Sequence, residues 1–229
     1  MSTVVTYRIS ALTRAWVCLG RSSAVVIPVI IINSVLQALL LLPGFLPGVN
    51  LAFIVAAVLS FLILVACYTV AATAILAAID GRISGGSGVR AVLADSPARF
   101  PAVLGWSLLL LLATIIGLSL YVVPGLIVLA VLPFLLIAVI DHRRIPLAAN
   151  FATLGKRWGR WLLTIVIMAV LCSVLWLLAT VTGFFIGGAL GALIAWLVLG
   201  VIAAWFTAAW ALIYRGVTPA ETHPSSINE

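Results

Sequence analysis

Charge is what this sequence has least of. Asp, Glu, Lys and Arg make up 7% of its 229 residues, against about 25% in soluble domains. Water cannot be the main solvent of such a chain. Acids are scarcest: Asp80, Asp95 and Asp141 in the body and Glu221 and Glu229 in the tail are all five. None falls within an apolar span, and an ionisable group there would be the default pointer to an ion path or proton relay. Ion-coupled transport and proton pumping lose their residues accordingly.

Other shortages exclude other chemistry. There are two histidines, His142 and His223, far apart and without an acid at ligand spacing, so no metal site is expected. Cys18, Cys67 and Cys172 follow no motif and read as reduced core thiols, not as a disulfide framework. Ser60, Ser107 and Ser173 have no histidine near them to act as base. The glycines at 85, 86 and 88 follow no strand and lead to no Gly-Lys-Ser/Thr, so they make a linker and not a phosphate loop. No catalytic, cofactor or metal residue is expected, and the chain is not read as an enzyme.

What is present is apolar. Hydrophobic residues make up 66% of the chain, with a mean hydropathy of +1.38. A bilayer core about 30 Å thick is crossed by about 20 apolar residues, and six such stretches occur, at 24–42, 51–79, 101–118, 120–140, 162–182 and 188–214. The expected fold is an all-α integral membrane domain over 1–215, six transmembrane helices arranged as three hairpins, with a short flexible cytoplasmic tail after it. The N-terminal arginines before a long apolar run imitate a signal peptide, but without a small-residue cleavage site the run reads as a retained helix.

Pro43-Gly44-Phe45-Leu46-Pro47-Gly48 has the chemistry of a turn. The second span is long and must tilt or protrude. Between 101 and 140 no charge occurs, which makes two spans with a turn between Gly117 and Gly125, Tyr121 at the interface and Pro124-Gly125 opening the fourth helix. Pro133 predicts a kink inside that helix. Gly183, Gly187, Gly191 and Ala195 recur at steps of four, as a hairpin turn or as a flat stripe for close helix packing.

Topology follows from where the basic residues stand. Arg8, Arg14 and Arg21 precede the first span; Arg82, Arg90 and Arg99 lie between the second and third. Arg143, Arg144, Lys156, Arg157 and Arg160 lie between the fourth and fifth, and Arg215 ends the sixth. These are all twelve, so the opposite loops carry none and both termini are expected in the cytoplasm. The same distribution explains the net charge of +7 without nucleic acid.

Each basic segment also suggests a short interfacial amphipathic helix ahead of its hairpin. Ile9, Leu12, Trp16 and Leu19 form one lipid-facing stripe. Leu147, Phe151, Leu154, Trp158 and Trp161 form the clearest one. Between them, Val89, Val92 and Leu93 align, but Pro97 interrupts. The threefold order is one of pattern, since identity between the copies is negligible. Two polar features remain. Asn33 and Gln37 lie one turn apart on the first span, placed for an interhelical hydrogen bond or a polar ligand. Arg143, Arg144, Lys156, Arg157 and Arg160, edged by Trp158 and Trp161, form a belt for anionic lipid headgroups, each cation contributing about 1 kcal/mol.

Val122-Val123-Pro124-Gly125, the apolar run to Asp141, Ile145-Pro146-Leu147-Ala148-Ala149, Leu154-Gly155-Lys156-Arg157-Trp158 and the closing Ala211-Leu212-Ile213-Tyr214-Arg215 together resemble a family. It is that of the uncharacterised bacterial six-helix membrane proteins related to the membrane domain of some glycerophosphodiester phosphodiesterases. The resemblance covers the last half of the chain and departs where Asn150-Phe151-Ala152 replaces a Ser-Trp pair. It implies a membrane domain without an established activity, so no catalytic residue carries over.

The expected function is that of a non-enzymatic multi-pass protein of the bacterial inner (plasma) membrane, an accessory or organising component beside other membrane subunits. A transporter or flippase for a lipid or hydrophobic solute is the alternative, with Asn33 and Gln37 in its cleft. A third, a subunit for membrane lipid chemistry, would need a partner chain to supply acids and bases.

Overall fold

In hydrocarbon no water is present to bond a free backbone group, so apolar runs of this length close their N–H and C=O groups on themselves as helices. The computed structural model describes residues 2–40, 51–83, 85–185 and 188–216, with side chains except at 2–11, 85–86, 122, 172 and 176–189. The elements are α1 (Ser2–Leu40), α2 (Leu51–Ile79), α3 (Gly85–Leu120), α4 (Val122–Val131), α5 (Leu135–Ile140), α6 (Pro146–Phe185) and α7 (Gly188–Arg215). Among the described residues there is no strand. Six stretches are long and apolar enough to cross a membrane, α4 and α5 together making the fourth. The turn at 43–48, Gly187 and the tail after Gly216 lie outside the described residues.

The most extensive packing is that of α1 on α7, the first described helix on the last, and α1 also packs on α2, α2 on α3, α3 on α4 and α6 on α7. Further contacts join α2 to α7 and α5 to both α3 and α6. Burial of apolar surface does not drive this packing in lipid, which is as apolar as leucine, so close backbone approach and polar links must do so. Two approaches are close enough to require glycine. A Cβ on Gly117 would come within 2.8 Å of the Gly125 Cα, where α3 turns into α4 through Tyr121 alone. On α7, a Cβ on Gly200 would come within 2.7 Å of Ile30 Cγ2 on α1.

Ala204 and Ala208 continue from Gly200 at steps of four, and both are buried. The small-residue row therefore lies further along the chain than the sequence suggested. Gly183 is on α6 and Gly191 on α7, so their four-residue step does not run along one helix.

The amphipathic segments also differ from expectation. On α1 the helix is continuous into the membrane span. Its buried stripe, Leu12, Ala15, Cys18, Ser22 and Val25, recurs every three or four residues and faces protein, not lipid. Leu12 belongs to that stripe, and half-exposed Trp16 stacks on Trp205 of α7 with ring centroids 5.7 Å apart. Helix α3 runs unbroken through Pro97 and Pro101. The two prolines lie four apart, on one exposed face, so the carbonyls they free point out of the bundle instead of ending the helix.

Helix α6 comes nearest to the expected interfacial form. Arg157, at φ −131° and ψ 26°, interrupts it. Before that kink Leu147, Phe151 and, just after it, Trp158 are exposed, while Leu154 and Trp161 turn inward onto the core.

The α1–α7 approach makes a direct test. Gly200→Leu is expected to lower the thermal midpoint in detergent by several degrees, because Ile30 is β-branched and cannot swing clear. Gly105→Ala, where a Cβ meets nothing within 4 Å, is expected to leave it unchanged or raise it, since alanine is the better helix former by about 1 kcal/mol. Equal losses in both would mean that the contact is not limiting.

Candidate functional site: three helix ends and a broken span

The polar chemistry of the described chain gathers at one end of the bundle. Helix α2 stops at Asp80 and α5 at Asp141, and both stop in the same way. Gly81 takes φ +71° and His142 φ +55°. The Arg82 N–H then donates to the Ala77 carbonyl (2.8 Å) and the Arg143 N–H to the Ala138 carbonyl (3.1 Å), while Gly81 and His142 bond back to Ala78 and Val139. This is the left-handed helix cap that satisfies the last carbonyls. It places each aspartate just past a buried helix end.

Arg215, the last residue of α7, reaches both. Its Nη2 donates to Asp80 Oδ2 at 2.8 Å, and its Nη1 lies 2.7 Å from Asp141 Oδ1. The preceding residue joins in: Tyr214 Oη donates to Asp141 Oδ2 at 2.9 Å. Arg143 Nε donates to the same carboxylate oxygen at 2.8 Å and to Tyr214 Oη at 3.1 Å. Burial alone would lower the Arg143 guanidinium, but its hydrogen bonds to Asp141 and Tyr214 outweigh that and hold it above its usual range. Arg82 completes the group on Asp80 at 3.0 Å.

Arg99 extends the cluster onto α3. It is buried, pairs with Asp95 one turn earlier, and donates through Nη1 to the Ile140 carbonyl. A cation there also faces the negative end of α5. Thus Asp80, Asp95 and Asp141, the acids ahead of the tail, are each paired with arginine. Arg99 stands two residues ahead of the third span as the sequence sets it, and α3 carries it there without a break in the helix.

The three converging ends match in sequence. Ala77-Ala78-Ile79-Asp80, Ala138-Val139-Ile140-Asp141 and Ala211-Leu212-Ile213-Tyr214 align without gaps, and Ala77, Ala138 and Ala211 are all buried. Three residues before those alanines, Ala74, Leu135 and Ala208 are buried as well. Identity between the copies is therefore concentrated at these ends. An Ala-x-Ile-Asp search along the sequence would have found the first two, and the third hides because tyrosine replaces aspartate.

Above Asp141 the fourth span is broken at Leu132-Pro133-Phe134, where the sequence predicts a kink. Proline supplies no N–H, so the helix cannot close across it. The freed groups are taken up from α6. Asn150, fully buried, donates through Nδ2 to the Val131 carbonyl (2.9 Å) and accepts from the Phe134 N–H at Oδ1 (3.0 Å). Trp161 Nε1 donates to the Ala130 carbonyl at 2.7 Å. The side-chain amide thus stands in for the missing peptide contacts. Sequence reasoning passed over Asn150 except as a departure from a family pattern. Its signal was an amide one residue before Phe151, off the exposed stripe of Leu147, Phe151 and Trp158.

The residues singled out from sequence scatter by comparison. Gln37 is sealed between α1 and α2: its Nε2 donates to the Ser60 carbonyl at 3.0 Å, and the Ser60 hydroxyl donates to its Oε1. Asn33 is also buried, and its Oδ1 has no hydrogen-bond partner. In the basic belt, Arg143 serves the ion cluster, and Arg157 donates to the Gly216 carbonyl at 3.1 Å. Arg144 and Lys156 are exposed and Arg160 half-buried. The belt is thus two groups, one turned inward and one outward. Among the described residues no three His, Cys, Asp or Glu side chains meet as metal ligands would.

Two substitutions test the geometry. Asn150→Leu leaves the Phe134 N–H and the Val131 carbonyl unbonded in a dry site, at about 1–3 kcal/mol each, and is expected to destabilise the protein to chemical denaturation by at least the lower of those values. His142→Gly relieves a left-handed residue of about 1 kcal/mol and is expected to raise stability. A loss with glycine would show that the imidazole contributes a bond that outweighs its strained backbone.

No protein-family model matches the chain, and neither a curated protein nor a solved structure matches it.

Proposed function

We propose that this protein is a non-enzymatic multi-pass component of a bacterial inner membrane, one that organises or supports other membrane subunits, with both termini in the cytoplasm. The observation that carries this reading is the inward use of its polar groups. Asp80, Asp141, Arg215, Tyr214, Gln37, Ser60 and Asn150 bond to one another or to backbone, which leaves aliphatic helix faces as the surface offered to neighbours. Exposed Ile27, Ile31, Leu108, Leu112, Val166 and Val170 are typical of those faces. The three-hairpin arrangement, the kinship with the glycerophosphodiester phosphodiesterase membrane domains and the binding of anionic headgroups by Arg144, Lys156 and Arg160 belong to the same proposal.

Purification from native membrane in a mild detergent is expected to bring down at least one other membrane protein in fixed ratio. Recovery as a lone monomer from crosslinked as well as untreated membranes would sink this reading. Topology has its own check. Alkaline phosphatase fused after Arg215 is expected to be inactive and a fluorescent protein there to fluoresce; the reverse would place the arginine cluster outside.

The second reading, a transporter or flippase for a lipid or hydrophobic solute, is favoured by one feature, the broken fourth span, since interrupted helices near a bundle centre mark transport paths in many membrane proteins. Its former support has weakened, because Gln37 is closed into the α1–α2 interface. Reconstituted vesicles loaded with fluorescent phospholipid decide it: faster exchange between leaflets than in protein-free vesicles favours transport, and equal rates dismiss flipping of lipid.

A further inference from the structure

We propose that α5 is a hinged segment, pivoting at the broken span and latched at its other end by Arg215, so that release of the Asp141–Arg215 ion pair opens the bundle core from the charged side. The inference goes beyond the organising role and holds whether the bundle transmits a partner's binding or passes a solute.

Four observations converge. First, α5 is six residues long and bounded by irregular backbone on both sides, the break at Leu132-Pro133-Phe134 and the left-handed His142. A short helix between two such points can turn as a unit. Second, its N-terminal boundary is a side-chain joint and not a continuous helix, with Asn150 holding the Val131 carbonyl and the Phe134 N–H. Two hydrogen bonds to one side chain brace the break with fewer contacts than the peptide ladder of a continuous helix, which makes it the weakest point of the fourth span.

Third, α5 and α7 have little packing between them. What ties them is polar: Asp141 to Arg215, and Tyr214 to Asp141. Arg99 holds the same end from α3 through the Ile140 carbonyl. Fourth, buried charge clusters are a poor way to gain stability, since apolar replacements are often as stable or more so. A side chain that bridges the ends of α2 and α5 only through such bonds suits a contact made to break. Leu135, Ile137, Ala138, Val139 and Ile140 are buried beneath it, so movement of α5 would uncover the core.

The test begins with the unaltered chain. Hydrogen exchange of the protein in lipid nanodiscs is expected to show the Leu135–Ile140 amides exchanging together and at least tenfold faster than the equally buried ends of α2 and α7. Equal protection in all three would overturn the hinge. The latch is tested in a chain with Cys18, Cys67 and Cys172 replaced by serine and one new thiol, Ala138→Cys on α5 or Ala74→Cys on α2. Both sites are fully buried.

A charged, membrane-impermeant maleimide offered to the arginine-rich face is expected to label position 138 at least tenfold faster once Arg215→Met is added. Position 74 is expected to change by less than threefold. An unchanged rate at 138, or an equal rise at both, would refute the latch, the second result meaning general loosening. Asp141→Leu with Arg143→Leu and Arg215→Met replaces the charges at this helix end by apolar contact and is expected to restore slow labelling at 138; continued fast labelling there would also count against the latch.

Discussion

Arg215 is the constraint on which the arrangement of the helices turns. A guanidinium presents donors in a planar fork, and this one divides its fork between carboxylates at the ends of two helices that do not follow each other in the chain. Its position at the end of α7 matters as much as its chemistry. It brings the last helix of the sequence to the ends of α2 and α5, so the charged face is defined by one side chain and two matched caps. Removing Arg215 leaves Asp80 to Arg82 and Asp141 to Arg143, so the loss is expected to be smaller than the cost, about 3–5 kcal/mol, of breaking a buried pair with no other partner.

A second constraint acts on the backbone. The bilayer forbids unbonded peptide groups, and yet the fourth span contains a proline that must leave some. The solution depends on the chain returning at once: α6 begins five residues after Asp141 and runs past the break, so Asn150 and Trp161 arrive where the carbonyls of Val131 and Ala130 are open. The segment after Asp141 therefore leads straight to the residues that make a broken helix tolerable, and α6 kinks at Arg157, between Asn150 and Trp161.

The spans were legible because length and hydrophobicity suffice to find them, and a turn between Gly117 and Gly125 because no 40-residue uncharged run can cross once; that α4 opens at Val122, ahead of Pro124, was not. The gathering of charge on a few segments was equally plain. What was not legible was which face met which neighbour. Leu12 and Trp16 lie on a stripe that suits a lipid surface or a partner helix equally well, and only the presence of Trp205 decides between them. Pro97 was expected to interrupt its stripe, but the carbonyl it frees, that of Leu93, lies on an exposed side of α3, and the helix runs on. Asp80 and Asp141 were counted as loop charges. Their Ala-x-Ile-Asp context was readable, but its meaning required knowing that Arg215, more than seventy residues further, would lie between them.

Polarity within the spans is a weaker guide to function than it first looks. Ser22, Ser34, Thr69, Thr73, Thr114, Thr164 and Thr207 each bond a carbonyl three or four residues back on their own helix, a local arrangement open to any serine or threonine. Such residues say nothing of a site. Amides and indoles are different, because they reach across: Gln37 to Ser60, Asn150 to the broken span, Trp161 to Ala130, Trp205 to the Leu12 carbonyl. Each of these fixes one helix against another. By that measure Asn33 stands apart, an amide as buried as the rest whose oxygen meets no donor, in a solvent where an unmet hydrogen bond is costly. Asn33 shares that condition with Arg99 Nε and with Arg215 Nε and Nη1, but those three atoms belong to guanidinium groups already held by ion pairs. The α1 face around Asn33 is therefore a place away from the charged end where the described helices alone leave a polar contact incomplete.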